Sequence, residues 1–301
     1  MTSVSAYCSE QLQQFFAHIE LPEHFRHEAP SLSLLQTLHT HCLSTLPYEN
    51  LSLHYNATHQ IELDPQHLFR KMSGRVGDFK AFHEETIPDG SGHSTQLKDS
   101  ATDFAYRNHI VNIVTFPDGS KYHTDVAFGG DGALFPMVLV DGLVYQNLGT
   151  QQIRLVRDWI PHQVHRTEDS RLWIYQYRNG VDKDWNSFYS FPGIEFYALD
   201  WGVVNFWIGN HPSSHQRVNM LVIKFLRRLK EAAEGEREEY EIYGKRMLVD
   251  GVIKENLGGK TQVIAECKSE AERLEALEKY FSISLEVEEK EGIRGYVSEL
   301  W

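Results

Sequence analysis

The sequence predicts an α+β fold of three successive units: an N-terminal helical bundle, a central antiparallel β-barrel or strongly curved sheet, and a C-terminal α/β unit. Three observations predict it. Apolar residues recur three and four apart between residues 5 and 47. Segments rich in Val, Ile, Tyr and Trp, separated by turn clusters, fill residues 109 to 225. The tail then passes from strand-like segments to one well-capped helix.

Taken in order, "SEQLQQFFAHI" and "SLSLLQTLHTHCLSTL" predict two helices, each with a serine near its start. "LPYENLSLHYN" turns at Pro47 into a short extended piece. "LDPQHLFRKM" predicts a further helix, with Asp64 as N-cap and Pro65 at the first helical position. From Ser73 to Arg107 the periodicity fades, apart from a short strand near Phe79 to Phe82, and residues 83–106 read as an irregular loop. So long a connection is unusual inside a compact domain. Strands are expected in "HIVNIVTF", "SKYHTDVAF", "PMVLVDGLVYQNL", "QIRLVRDWI" and "RLWIYQYR", and a mixture of strand and helix in "SHQRVNMLVIKFLRRLKEAAEG". The tail "YEIYGKRMLVDGVIKENLGGKTQVIAE" reads as strand. The closing helix "SEAERLEALEKYF" has a capping box at Ser269 and Glu272, with Leu274, Leu277 and Phe281 on one face.

The composition narrows the function. Of 301 residues, 41% are hydrophobic and 24% charged, enough apolar mass for a real core. The formal net charge of −13 disfavours nucleic acid and anionic membrane surfaces as partners. Three widely spaced cysteines, Cys8, Cys42 and Cys267, read as reduced thiols of a cytoplasmic protein. The N-terminal residues lack the pattern of a signal peptide, and no apolar run approaches membrane-spanning length. "HTHC", "HQVH" and "HPSSH" have ligand-like spacing, but no accompanying Cys or carboxylate set suggests zinc, so no metal is expected. The acidic run 234–241 reads as a solvated edge. Trp173, Trp185, Trp201 and Trp207 could line an amine pocket, although barrel core is the commoner fate of such residues.

The chemistry concentrates in "YRNHIVNIVTFPDGSKYHTDVAFGG". The Pro-Asp-Gly loop suits a type I turn followed by a left-handed glycine, a three-residue hairpin with a bulge. That register sets Phe116 opposite Ser120 and Val111 opposite Asp125, so His109 and Asp125 become diagonal neighbours on one face. A carboxylate on one ring nitrogen fixes the tautomer that lets the other deprotonate a thiol or hydroxyl. The odd loop length permits that contact without requiring it; two polar residues on a solvated hairpin face is the plainer alternative.

"LPYENLSLHY", "LDPQHLFRKM", "HIVNIVTFPDGSKYHTDVAFGG", "FYALDWGVVNFWIGNHPSSH" and the tail from "MLVDGVIKENLGGKTQ" onward together resemble fungal-type arylamine N-acetyltransferases, in the family's order and over almost the whole chain. The resemblance implies a cysteine-protease-like arrangement: a truncated helical domain (1–73), a β-barrel domain (74–225) and an α/β lid (226–301). It implies a monomer that moves an acyl group from acetyl-CoA, or another acyl-CoA, to a small aromatic amine or hydrazine by ping-pong Cys–His–Asp chemistry. His109 would be the base and Asp125 its orienter. Gly129 and Gly130 would keep backbone close to the acyl and cofactor site, and Ser213 and Ser214 would help hold coenzyme A. Two positions depart from the family pattern: Gln216 stands where an aromatic is common, and Asn108 where a small hydroxyl residue is usual. A third departure is larger. The nucleophile's Arg–Gly–Gly–x–Cys motif is expected after "LFRKM", which here runs straight into "SGRVGDFKAF". Cys42 has core-like spacing, Cys8 and Cys267 are remote in the family's layout, and Ser73 lacks the helix that would activate a hydroxyl. The chain is therefore expected to be inactive or severely impaired as a transferase, with a coenzyme A- or amine-binding protein, or a mis-spliced product, as the alternative.

Overall fold

The structure is a computed structural model and describes residues 7–59, 91–97, 104–161, 163–196, 198–231 and 238–301. The helix expected at Asp64 and Pro65, the strand near Phe79, and Ser73 lie outside these residues.

The N-terminal helices form where the apolar spacing places them. Helix α1 is Ser9–His18 and α2 is Leu32–Thr45. Ser31 caps α2, its hydroxyl accepting from the Leu34 amide at 3.1 Å, so one orphan N–H of the first turn is satisfied. Both helices bury their apolar stripes in one core with Phe15, Ile19, Cys42 and Leu46, to which Val126 contributes from the turn after residue 124 and Phe225 from a sheet.

Among the described residues, thirteen strands form two antiparallel sheets. In chain order they begin with β1 (Tyr48–Glu49), β2 (Ser91–Leu97), β3 (Phe104–Thr115), β4 (Lys121–Thr124), β5 (Met137–Val138) and β6 (Val144–Gln146). Next come β7 (Gln152–Asp158), β8 (Leu172–Arg178), β9 (Asn186–Phe191), helix α3 (Ala198–Asn210) and the short α4 (His215–Val218). Strands β10 (Leu221–Leu229), β11 (Tyr240–Val249), β12 (Val252–Asn256) and β13 (Gln262–Glu266) precede α5 (Glu270–Ala276) and α6 (Val287–Glu291).

The eight-stranded sheet runs β5-β4-β3-β2-β9-β8-β7-β6 and the five-stranded sheet β1-β10-β11-β12-β13. The α+β class is as expected; the closed barrel is not. Among the described residues, strand β5 pairs only with β4 and β6 only with β7. These edge strands are two and three residues long and are joined through the turn at residues 139–143, so no ladder closes the ring.

Two further expectations change. The loop at 83–106 contains β2 and the start of β3, and β2 is paired on both sides, by β3 and β9. "SGHSTQL" shows no apolar alternation, and its extended form comes from its partners rather than from its own propensity. Helix α3 stands where strand was expected. It is apolar all round, with Val203 and Phe206 exposed on its outer side, so it shows no helical period to read. Residues 225 and 226 both lie in β10, which pairs with β1 from the N-terminal region as well as with β11.

At the C-terminus, Ser269 caps α5 by accepting from the Glu272 amide at 3.3 Å, while Glu272 accepts from the Lys268 amide at 2.6 Å. The helix ends in a π-turn over Leu277–Phe281, which keeps Leu277 and Phe281 fully buried against Leu248 and Ile253. Arg273, also fully buried, pairs with Glu270 and donates to the Tyr55 hydroxyl at 3.1 Å.

The sheets meet at glycine turns. Gly149, at φ +60°, lies so close to Gly258 that a Cβ would collide with the Gly258 carbonyl, whereas Gly119, at φ +85°, has open space around it. Gly149→Ala is therefore expected to cost about 1–3 kcal/mol more than Gly119→Ala, because overpacking adds to the left-handed strain both share. Urea denaturation of the two variants measures the difference; equal losses would contradict this contact.

Candidate active site

The hairpin β3–β4 builds the site. Asn112 pairs with Thr124, Ile113 with His123 and Thr115 with Lys121, and the Phe116 amide donates to the Ser120 carbonyl at 2.9 Å. This is the register of the three-residue loop, with Gly119 supplying the positive φ. Continued one step, it sets Val111 opposite Asp125 and brings His109 diagonal to Asp125 on the same face.

The diagonal pair is in contact. His109 Nε2–H donates to Asp125 Oδ2 at 2.7 Å; the carboxylate is fully buried and the imidazole nearly so. With the proton on Nε2, the ring's lone pair lies on Nδ1, the tautomer a general base requires. Phe128 and Tyr189 hold the ring by aromatic contacts at centroid distances of 5.2 and 5.4 Å.

Sequence reasoning did not reach two members of this cluster. The Tyr189 hydroxyl on β9 donates to Asp125 Oδ2 at 2.7 Å, and the Ala127 amide donates to Oδ1 at 3.1 Å. Because Tyr189 spends its proton on the carboxylate, its oxygen accepts from His123 Nε2–H at 2.9 Å. His123 is fully buried beside Tyr175 and Phe191, and its Nδ1 has no hydrogen-bond partner among the described residues. The signal for His123 was its place two residues before Asp125 on the same strand. Tyr189 carried no signal of its own, since only the pairing of β8, β9, β2 and β3 delivers it.

The electrostatics follow from burial and partners. Burial pushes the Asp125 carboxyl up, but the His109 charge and hydrogen bond, with lesser help from His123 and Tyr189, hold it down at about 2. Burial, then the Asp125 charge, raises Tyr189 well above the usual phenol range, so it remains a donor. Burial lowers His123 to about 4 against a smaller opposite pull from Asp125, so it is neutral at pH 7.

The other expected residues sit elsewhere in the fold. Gly129 has φ +95°, and a Cβ there would come 2.8 Å from Ile223 Cδ1 on β10. A Cβ on Gly130 would meet Lys245 Nζ and Met247 Sδ at 3.6 Å, and the Gly130 carbonyl accepts from the buried Lys245 ammonium. Ser213 Oγ donates to His211 Nδ1 at 2.7 Å, and the Ser214 amide donates to the His211 carbonyl at 2.9 Å, so both serines bond within their own turn. Tyr48 and Gln216 are hydrogen-bonded, which ties the "LPYEN" segment to that turn.

All three cysteines are described and none is in a disulfide. Cys8 is exposed at the start of α1. Cys42 is buried in the helical core with Val126. Cys267 packs beside the C-terminal core, where burial, then Glu272, push its thiol up. Among the described residues no group of three or more His, Cys, Asp or Glu side chains could hold a metal ion, and no helix is long and apolar enough to cross a membrane.

Lowering the pH tests these environments. An unfolded histidine binds a proton near pH 6.5, whereas native His123 refuses it until about pH 4. Stability is therefore full above pH 6.5 and falls as pH drops to about 4, by on the order of 3 kcal/mol from this group. His123→Leu should flatten that part of the pH–stability curve, and an unchanged slope would contradict the assignment. Asp125, with its depressed value, stabilises above its unfolded value of 3.8 and loses that contribution as pH falls toward 2. The advantage of the native chain over Asp125→Asn should accordingly shrink between about pH 4 and 2 in the same denaturation experiment.

The N-acetyltransferase family model matches residues 92–290. An N-malonyltransferase of Fusarium pseudograminearum is 29% identical over 325 residues, covering 95% of this chain and 92% of the relative. The arylamine N-acetyltransferase structure from Salmonella typhimurium superposes with a TM-score of 0.72 at 19% identity, covering 95% of this chain and 98% of its own. That of Mycobacterium marinum arylamine N-acetyltransferase in complex with CoA superposes at 0.69 and 18% identity, covering 94% and 98%.

Proposed function

The chain belongs to the arylamine N-acetyltransferase family, and we propose that it keeps the base and orienter of an acyl-CoA:amine N-acyltransferase while lacking the nucleophile, which leaves it inactive or severely impaired in acyl transfer. In the family's ping-pong scheme a cysteine thiolate takes the acyl group as a thioester and releases it to an aromatic amine or hydrazine. His109 would accept the thiol proton at Nδ1, and Asp125 would stabilise the resulting imidazolium through the 2.7 Å hydrogen bond. That contact is the observation that carries the reading. The environments of two cysteines support the missing nucleophile: the buried Cys42 belongs to another core, and Cys267 is held as a thiol, which is a poor nucleophile.

The alignment with the Fusarium relative supports a missing internal segment, because it runs over 325 residues, more than the 301 of the whole chain. The sequence puts the junction between Met72 and Arg75, in residues outside those described. Gly129 and Gly130 are proposed to keep backbone close to the acyl group, and Ser213 and Ser214 to help hold coenzyme A, with the C-terminal α/β unit as a lid over them. The name of the Fusarium relative supports malonyl-CoA as a donor to test beside acetyl-CoA.

Incubation with acetyl-CoA or malonyl-CoA followed by intact mass spectrometry is expected to show no acyl-enzyme, while coenzyme A raises the melting temperature of both the native chain and His109→Ala. One acyl group added at Cys42 or Ser73, with amine acylation that His109→Ala abolishes, would overturn the proposal.

A further inference from the structure

The outer face of the eight-stranded sheet carries a second cluster, away from the acyl-transfer residues. Along β7 and β8 the side chains alternate: Ile153, Leu155 and Tyr175 point into the core with Tyr189, whereas Gln152, Arg154, Gln176 and Arg178 point the other way. Gln152 pairs across the strands with Arg178, and Arg154 with Gln176, so the two arginines are diagonal neighbours. Both lean on one indole. The guanidinium carbon of Arg154 is 4.1 Å from the centroid of Trp185, and that of Arg178 is 4.6 Å.

Each guanidinium is held in place by an amide rather than neutralised by an acid. Arg154 Nε donates to Gln176 Oε1 at 2.9 Å, and Gln176 is itself oriented by donating from Nε2 to Ser187 Oγ at 3.0 Å. Arg178 donates from Nε and Nη2 to Gln152 Oε1 at 2.8 and 2.6 Å. These bonds leave both terminal amino groups of Arg154, and Nη1 of Arg178, without an acceptor among the described residues. Two acids act on them only at longer range: Asp141, whose Oδ1 accepts from the Arg157 amide at 2.9 Å, pulls on Arg154, and Asp182, which pairs with Lys183 at 3.1 Å, feels the Arg178 charge. Burial and then the Arg178 charge hold Arg154 below the usual guanidinium range, against a smaller pull from Asp141.

Two fixed, half-buried, like charges, neither in an ion pair among the described residues, are unusual in a chain of net charge −13. The neighbouring cation–aromatic pair shows the contrast: Arg171 lies 4.4 Å from the Trp159 centroid but also makes an ion pair with Glu168 at 3.0 Å. We propose that Arg154, Arg178 and Trp185 form a binding site for a phosphate group, inorganic or borne by a small phosphate monoester, on the sheet face opposite His109 and Asp125. Planar guanidinium forks match the oxygens of such an anion, and pre-oriented donors lose little side-chain entropy on binding it.

Titration calorimetry of the whole chain with inorganic phosphate, at ionic strength fixed with chloride, tests the proposal. One saturable site is expected. Arg154→Gln and Arg178→Gln should each weaken it roughly tenfold or more, the loss expected for charge-assisted hydrogen bonds. Arg171→Gln, at a guanidinium that also stacks on an indole but is ion-paired, should leave it unchanged. Phenyl phosphate binding more tightly than inorganic phosphate would identify a monoester as the ligand, and equal binding would identify the inorganic anion. No saturable binding, or binding that survives in both Arg154→Gln and Arg178→Gln, overturns the site. The melting temperature of each variant checks its fold. The coenzyme A shift should persist in both, which separates this site from the proposed acyl-CoA site.

Discussion

A single buried carboxylate organises the candidate active site of this protein. Asp125 lies out of water and takes three donors, the His109 imidazole, the Tyr189 hydroxyl and the Ala127 amide. A carboxylate so placed would be expensive without them, and with them it stays ionised to about pH 2. The donors come from β3, from β9 and from the turn after β4, so the charge can be satisfied only when the central strands have assembled in register. Stability and site geometry are thus the same requirement seen from two sides. The hydrogen bonds also have a fixed sense: His123 donates to Tyr189, Tyr189 to Asp125, and His109 to Asp125 from the opposite side. That sense decides the tautomer of both imidazoles.

The surrounding fold holds this hairpin from behind. Val126, next to Asp125, enters the helical core with α1 and α2, while the 129–131 turn packs on Ile223 and Lys245 of the five-stranded sheet. Successive residues after β4 therefore anchor to different parts of the molecule. The strand end cannot shift without disturbing the helices, the second sheet and the carboxylate together.

Much of this was legible in the chain. The loop Pro117-Asp118-Gly119 has an odd length, and that permits the register placing His109 diagonal to Asp125, because side chains alternate strictly along a strand, while the family pattern singled out the pair. The serine caps at Ser31 and Ser269 marked helix starts for a similarly local reason. Long-range pairing was not legible. Strand β2 is polar and borrows its form from β3 and β9; α3 is apolar on every side and so shows no period; and the open edges at β5 and β6 depend on which short strands find partners. Tyr189 belongs to the same class, since its meeting with Asp125 spans 64 residues. The family pattern added what geometry could not, the expectation of a cysteine opposite the histidine.

The most direct measurement is restoration. A segment carrying the family's Arg–Gly–Gly–x–Cys motif, inserted between Met72 and Arg75, should give a chain that transfers an acyl group from acyl-CoA to an arylamine, with activity that disappears in His109→Ala. An unmodified chain that acylates the amine as fast as the restored one, or a folded restored chain whose activity ignores His109, would contradict the account.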